Sequence, residues 1–256
     1  LDGTLGDVTP EHFLAAMRAH YQTGERCGAS PGWGSLAQYY TVALGETTVI
    51  TGTSSAMKST FMQGMAVNLA RQFGWQFGVF AGEHGSPGKF GRHLQESYTD
   101  MRQADLPEEM FEDTAAWVTT HFHPITAPVD VPMTIPWILT VAKMQVQRYG
   151  LKGLILDPWN RISHQYGREP ETKYIGDMLT RLSKFASDHQ IHVFIVAHPT
   201  KLPREASGEY KGKVAPPQLG SIAGSQMWDS AVDNGISIWR DRDADSHEIE
   251  VHVLKV

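Results

Sequence analysis

The sequence predicts an α/β fold, a mostly parallel twisted sheet with helices on both faces. Three observations carry that expectation. From Glu46 onward, short apolar segments alternate with longer stretches of helical periodicity, the order that strands and crossover helices produce. Gly153–Asp157 is apolar up to its terminal acid, as in a strand covered on both sides. Gly52 to Thr60 forms a Gly/Ser-rich turn between a strand and a helix, at the edge where open α/β sheets gather their ligands.

In chain order, Thr9 is a candidate N-cap with Pro10 at the first helical position, and Phe13, Leu14, Met17 and Tyr21 follow at helical spacing. The apolar face of this helix needs a partner, either a neighbouring subunit or its own domain. A Gly/Pro-rich stretch, 24–34, comes next, so residues 1–34 are read as linker helix and connector, and 35–256 as the core. Residues 47–51 read as a strand. The helix after them carries Phe61, Met62, Met65, Ala66, Leu69, Ala70 and Phe73, with Gly74 as its stop. A strand over 77–81 follows, then helices near 89–104 and 108–120, and a helix opened by Pro136 and closed by Gly150. A helix over 171–188 leads to a strand over 191–197, and two further strands are expected at 235–240 and 248–255.

The segment Gly52, Thr53, Ser54, Ser55, Ala56, Met57, Lys58, Ser59, Thr60 has the context a phosphate loop needs. Backbone N–H groups and the positive helix end cradle phosphates, the lysine reaches the terminal ones, and the serine hydroxyl meets Mg²⁺. Met57 stands where G-x-x-x-x-G-K-[ST] has its second glycine. If that position requires a positive φ, Met costs roughly 1–2 kcal/mol; if a helical φ suffices, little is lost.

Asp157 ends its apolar strand as a metal-holding aspartate would, beside the Ser59 hydroxyl. Pro158 follows it, so a general base has to come from elsewhere. Glu83, just past the second strand, is the candidate for orienting and deprotonating water, against the reading of a solvated loop Glu. His198 ends a third strand and could hydrogen-bond a γ-phosphate, although a histidine there is often structural. His121 and His123, on a strand or loop, have no third ligand nearby, and His84, His93, His189 and His192 read as surface residues or residues behind the site. Trp159 and Trp228 read as packing residues, although Trp228 lies close to a cation-bearing loop that could contact a ligand strand.

Between His198 and Gly224 lie Lys201, Arg204, Lys211 and Lys213, with Tyr210 among them and Glu205 and Glu209 offsetting two charges. Such a loop could take the phosphates of a single nucleic-acid strand, with Gly224 and Ser225 adding backbone N–H groups. An ordinary solvated loop is the alternative.

With 22 Lys and Arg against 28 Asp and Glu, the formal charge is −6 and the pI about 6.0, which argues against a broad basic surface coating nucleic acid. Cys27 is the only cysteine, so an internal disulfide and a cysteine-based zinc site are excluded. No apolar run approaches the roughly 20 residues that span a bilayer. The chain begins at Leu1 and ends within an alternating strand pattern, which reads as an excised domain.

The motif order resembles ring helicases: a strand with its phosphate loop, a strand with Glu83, Leu-Asp-Pro-Trp-Asn at 156–160, Val-Ala-His-Pro-Thr-Lys at 196–201, and Ile-Ala-Gly-Ser-Gln-Met-Trp at 222–228 followed by Ala-Val-Asp-Asn at 231–234. The resemblance is to the RecA-like, DnaB/Twinkle-like family with its phage or prophage primase–helicases, from about Gly32 to the end. It implies a RecA-like P-loop NTPase core that binds ATP or dNTP with Mg²⁺. Lys58 and Ser59 would hold phosphate and metal, Asp157 the metal, Glu83 would be the base and His198 the sensor. It further implies a homo-oligomer, a hexameric ring around single-stranded DNA, a primase domain or partner, and a bacterial or phage-infected cytoplasm. Members carry K-x-R in the last strand. Lys255 matches the Lys, and the chain ends at Val256, one residue before the expected Arg. The alternative within the fold is a non-catalytic or recombination-type, RadA-like assembly ATPase; a DNA-packaging ATPase shares the same core.

Overall fold

The computed structural model describes residues 9–23, 28–82, 86–224, 227–241 and 248–256. In chain order the elements are α1 (Pro10–Thr23), α2 (Gly34–Ala37), β1 (Thr47–Gly52), α3 (Lys58–Phe73), β2 (Phe77–Ala81), α4 (Pro87–Thr99), α5 (Glu108–His121), β3 (Phe122–Pro124), α6 (Ile135–Tyr149), β4 (Gly153–Asp157), α7 (Glu171–His189), β5 (His192–Val196), α8 (Met227–Ala231), β6 (Asn234–Trp239) and β7 (Glu250–Lys255).

The strands form one sheet in the order β3-β2-β4-β5-β1-β6-β7, parallel except for β7, which runs antiparallel to β6. Alternate side chains of the central strands enter two cores. Val49, Leu154, Leu156, Val193 and Ile195 face α6, α7 and α8, packing with Ile138, Leu179, Leu182 and Trp228. Ile50, Ile155, Phe194, Val196, Ile236 and Ile238 face α3 and α4, packing with Met62, Met65, Leu69 and Leu94. Burial on both faces explains why these strands read as unbroken apolar runs. The parallel crossovers bring the carboxyl ends of β1, β2, β4, β5 and β6 to one edge, and the loops that leave that edge carry the candidate residues.

Several boundaries follow local chemistry that periodicity does not report. The helix expected to reach 104 stops at Thr99, because Asp100 adopts a left-handed conformation (φ 54) and a short 3₁₀ turn over Gln103–Asp105 follows. His121 ends α5, its Nδ1 against the Trp117 carbonyl at 2.9 Å, while His123 lies within β3, paired with Gly78. His192, expected at the surface or behind the site, is fully buried at the amino edge. Its Nδ1 meets the Ala43 carbonyl at 2.6 Å and its Nε2 the Thr48 hydroxyl at 2.8 Å, which itself meets the Tyr40 hydroxyl at 2.7 Å. Burial depresses its pKa to about 4.

In α1, Phe13, Leu14, Met17 and Tyr21 are all exposed, Tyr21 to 89%. Trp33, ahead of α2, stacks on Phe61 of α3 with ring centroids 5.1 Å apart.

Candidate active site

The turn from β1 to α3 starts tightly against the backbone of β6. A Cβ on Gly52 would lie 2.3 Å from the Ile238 carbonyl of β6, so glycine alone fits where β1 leaves the sheet. Ser55 and Met57 both carry positive φ, 60 and 67. The position that glycine fills in the usual motif is therefore left-handed here, and Met57 takes the costly one of the two conformations open to it. Lys58, the first residue of α3, is buried and donates to the Gly52 carbonyl at 2.8 Å and the Thr53 carbonyl at 2.9 Å.

Ser59 donates its hydroxyl proton to Oδ1 of Asp157 at 3.0 Å, across 98 residues of sequence. Asp157 is 2% exposed at the end of β4. Its backbone carbonyl accepts from the Gly82 amide at 2.8 Å, which ties the end of β2 to the same spot. A hydroxyl and a carboxylate converging beside the first turn of a helix form an all-oxygen pair. That suits a hard cation such as Mg²⁺, which keeps several waters and phosphate oxygens and needs only one or two protein ligands. No group of three or more His, Cys, Asp or Glu able to hold a metal occurs among the described residues. Lys58, Ser59 and Asp157 are thus brought together as the sequence reading expects. Glu83, His84 and Ser225 lie outside the described residues.

His198 is half-buried, two residues beyond the end of β5, and its carbonyl accepts from the Ala223 amide at 3.2 Å. The loop it opens is closed at its base by a bridge between Pro199 and Ile222 and by the Thr200 amide on the Ser221 carbonyl at 2.8 Å. Its tip folds on itself through Glu205 and Lys213, with the Glu205 amide on the Lys213 carbonyl at 2.8 Å. Lys201 and Lys211 are exposed. Arg204 and Lys213, two of the cations expected to contact DNA, line a cavity of about 380 Å³ with Thr53, Val214, Trp239, Arg240 and Asp241. Lys213 pairs with Asp241, and Arg204 donates to the Gly212 carbonyl at 2.5 Å. Sequence reading gave Trp239, Arg240 and Asp241 no part in the site. The missing signal was strand order, since β6 lies directly beside β1 and its end must border the phosphate loop.

Gly224 is explained locally, by a φ of 93 and by Ile175 Cδ1 at 2.4 Å from where a Cβ would stand. Lys255 lies away from its own chain's phosphate loop. Its Nζ donates to the carbonyls of Asp229 and Val232, each at 2.8 Å, at the end of α8. A larger cavity of about 810 Å³ is lined by Trp33, Tyr39, Met57, Thr60, Phe61 and Val251 among others.

The sheet order and its helices on both faces are those of a RecA-like fold. One solved ATPase domain superposes with a TM-score of 0.75 over 97% of this chain and 91% of that one, at 14% identity. A DnaB-like replicative helicase, described with its interactions with primase, superposes at 0.73 over 97% and 62%, also at 14% identity. In sequence, the Twinkle homolog protein, chloroplastic/mitochondrial, of Arabidopsis thaliana is 31% identical over 96% of this chain. The chain therefore has a RecA-like fold and is similar in sequence to this Twinkle homolog, of whose length it spans 35%. No protein-family model matches it. No helix among the described residues is long and apolar enough to cross a membrane.

Proposed function

We propose that this domain is the nucleotide-hydrolysing motor of a ring-forming replicative DNA helicase, moving along single-stranded DNA at the expense of ATP or dNTP. The observation that carries the reading is the 3.0 Å approach of Ser59 to Asp157 next to the start of α3. In this reading the N–H groups opening α3 and the Lys58 ammonium bind the β- and γ-phosphates, while Ser59 and Asp157 hold Mg²⁺. Bound there, the metal neutralises charge that develops between the phosphates. Glu83 orients the attacking water and takes its proton; the support is that the preceding residue, Gly82, is hydrogen-bonded to Asp157. His198 senses the terminal phosphate from the next strand end.

Single-stranded DNA lies along the 198–224 loop, with Lys201 and Lys211 taking phosphates and the backbone at Gly224 and Ser225 following the strand. Arg204 and Lys213 of the same loop line a cavity with Thr53, which sets this part of the loop on the nucleotide side. The exposed apolar face of α1 supports assembly with further copies, as a hexamer, and a primase domain or partner fits the same reading. In the ring, Lys255 serves the nucleotide of an adjacent subunit.

The test is nucleotide binding and turnover, with and without single-stranded DNA, on wild type and Lys58→Ala. Loss of the ammonium is expected to cut turnover by about 100-fold or more. Equal triphosphate binding and turnover in the variant would remove the motor. The left-handed Met57 favours one second reading, an assembly ATPase of the same fold that uses nucleotide to order a DNA complex with little turnover. Turnover of wild type equal to that of Met57→Gly would count against it.

A further inference from the structure

Trp228 is the largest fully buried side chain among the described residues, and it belongs to a helix of only five residues, α8, that follows the 198–224 loop. Its ring stands edge-on against Trp159, centroids 5.0 Å apart at 82°. Trp159 comes two residues after Asp157, and its position is fixed from two sides. Its carbonyl accepts from the Ile162 amide at 3.1 Å and lies 3.0 Å from Nε2 of His164. On its other side, Trp228 donates its indole N–H to the Ala223 carbonyl at 3.3 Å. The Ala223 amide in turn donates to the His198 carbonyl at 3.2 Å.

We propose that Trp159 and Trp228 are positioning residues that link the two ligand sites, the edge-to-face indoles carrying the position of the Asp157 strand end to the closing end of the 198–224 loop. The inference rests on the reading that nucleotide sits at Ser59 and Asp157 and DNA on that loop. The route is short and made of stiff parts: Ser59 to Asp157, one peptide segment to Trp159, one ring contact to Trp228, one hydrogen bond to Ala223. Two wide, flat rings packed edge to face in a dry core have few alternative arrangements, so a shift at one is felt at the other. Neither indole is exposed, so neither touches a ligand directly; what they change is how strongly one ligand influences the other.

The experiment measures the affinity of the whole chain for a fluorescent oligothymidylate, with and without a non-hydrolysable ATP analogue and Mg²⁺. It uses wild type, Trp228→Phe and Trp159→Phe. Wild type is expected to change its DNA affinity by about tenfold when the analogue is present. The variants are expected to bind each ligand alone within about twofold of wild type and to lose most of that tenfold effect. A variant pair that keeps the full effect overturns the proposal, as does a wild type that binds both ligands without influence of one on the other. A wild type that binds neither ligand sinks the motor reading itself. If the variants do not fold, hydrogen exchange on wild type decides. Slower exchange of the Ile222 and Ala223 amides on adding the analogue alone supports the link, and unchanged exchange overturns it.

Discussion

Met57 holds φ 67 and ψ 30, a conformation that costs a residue with a Cβ roughly 1–2 kcal/mol and glycine nothing. Met57 is 40% exposed, so removing its side chain gives up only part of a full side-chain burial while it relieves the backbone. Met57→Gly is therefore expected to raise stability by about 1 kcal/mol, read as a higher midpoint in urea. An unchanged or lower midpoint would mean that the side chain's contacts outweigh the backbone strain. Gly52 shows the reverse case. Gly52→Ala puts a methyl group 2.3 Å from the Ile238 carbonyl, and the expected outcome is a loss of at least about 2 kcal/mol in the same measurement. At this scale the sequence was informative where a motif fixes a residue's job. Lys58, Ser59 and Asp157 come together as their spacing on strands and helix implied. The settings of Arg204 and Lys213 were not legible, because a cation's partner across a fold, here Asp241, leaves no local trace in sequence.

Among the elements, α8 has the most unusual support. Five residues make barely one turn, too short to persist alone. Trp228 anchors it from below, and the Lys255 ammonium meets its last carbonyls, where a positive charge is favourable. Lys255→Met should cost about 0.5–1 kcal/mol in thermal unfolding of the isolated chain. A midpoint identical to wild type would show that the contact contributes nothing. The strands and the long helices were readable because their apolar residues repeat with periods of 2 and 3.6 and because Gly74 and Gly150 mark helix ends. The sequence leaves β3 open between strand and loop around His123: three residues ending in proline, paired only at the sheet margin, are too few to show a period. The end of α4 escaped, since its stop signal is a left-handed aspartate instead of a glycine.

Across the whole molecule the two edges of the sheet differ in kind. The carboxyl edge carries the loops of the site. The amino edge is fastened by buried polar contacts: His192 with Thr48 and Tyr40, and the Asp233 carboxylate accepting from the Thr47 amide and hydroxyl at 2.8 and 2.9 Å. With His192 neutral in the folded chain down to about pH 4, and the unfolded chain taking up the proton below about 6.5, acid favours unfolding across that window. Stability is expected to fall by roughly 3 kcal/mol between those limits on account of this one residue. In His192→Gln that part of the slope should vanish, and a variant with the wild-type pH profile would assign it to other groups. The antiparallel course of β7 has a consequence of its own. Lys255 is in register with Gly235, and Gly235 with Val49, three residues back from Gly52 and two strands to the side. Some 10 Å of β1 thus separates it from the level of its own phosphate loop. In the proposed ring, the triphosphate that this ammonium serves would belong to a neighbouring subunit, so mixing chains that carry Lys58→Ala with chains that carry Lys255→Met ought to restore turnover at junctions where two sound halves meet.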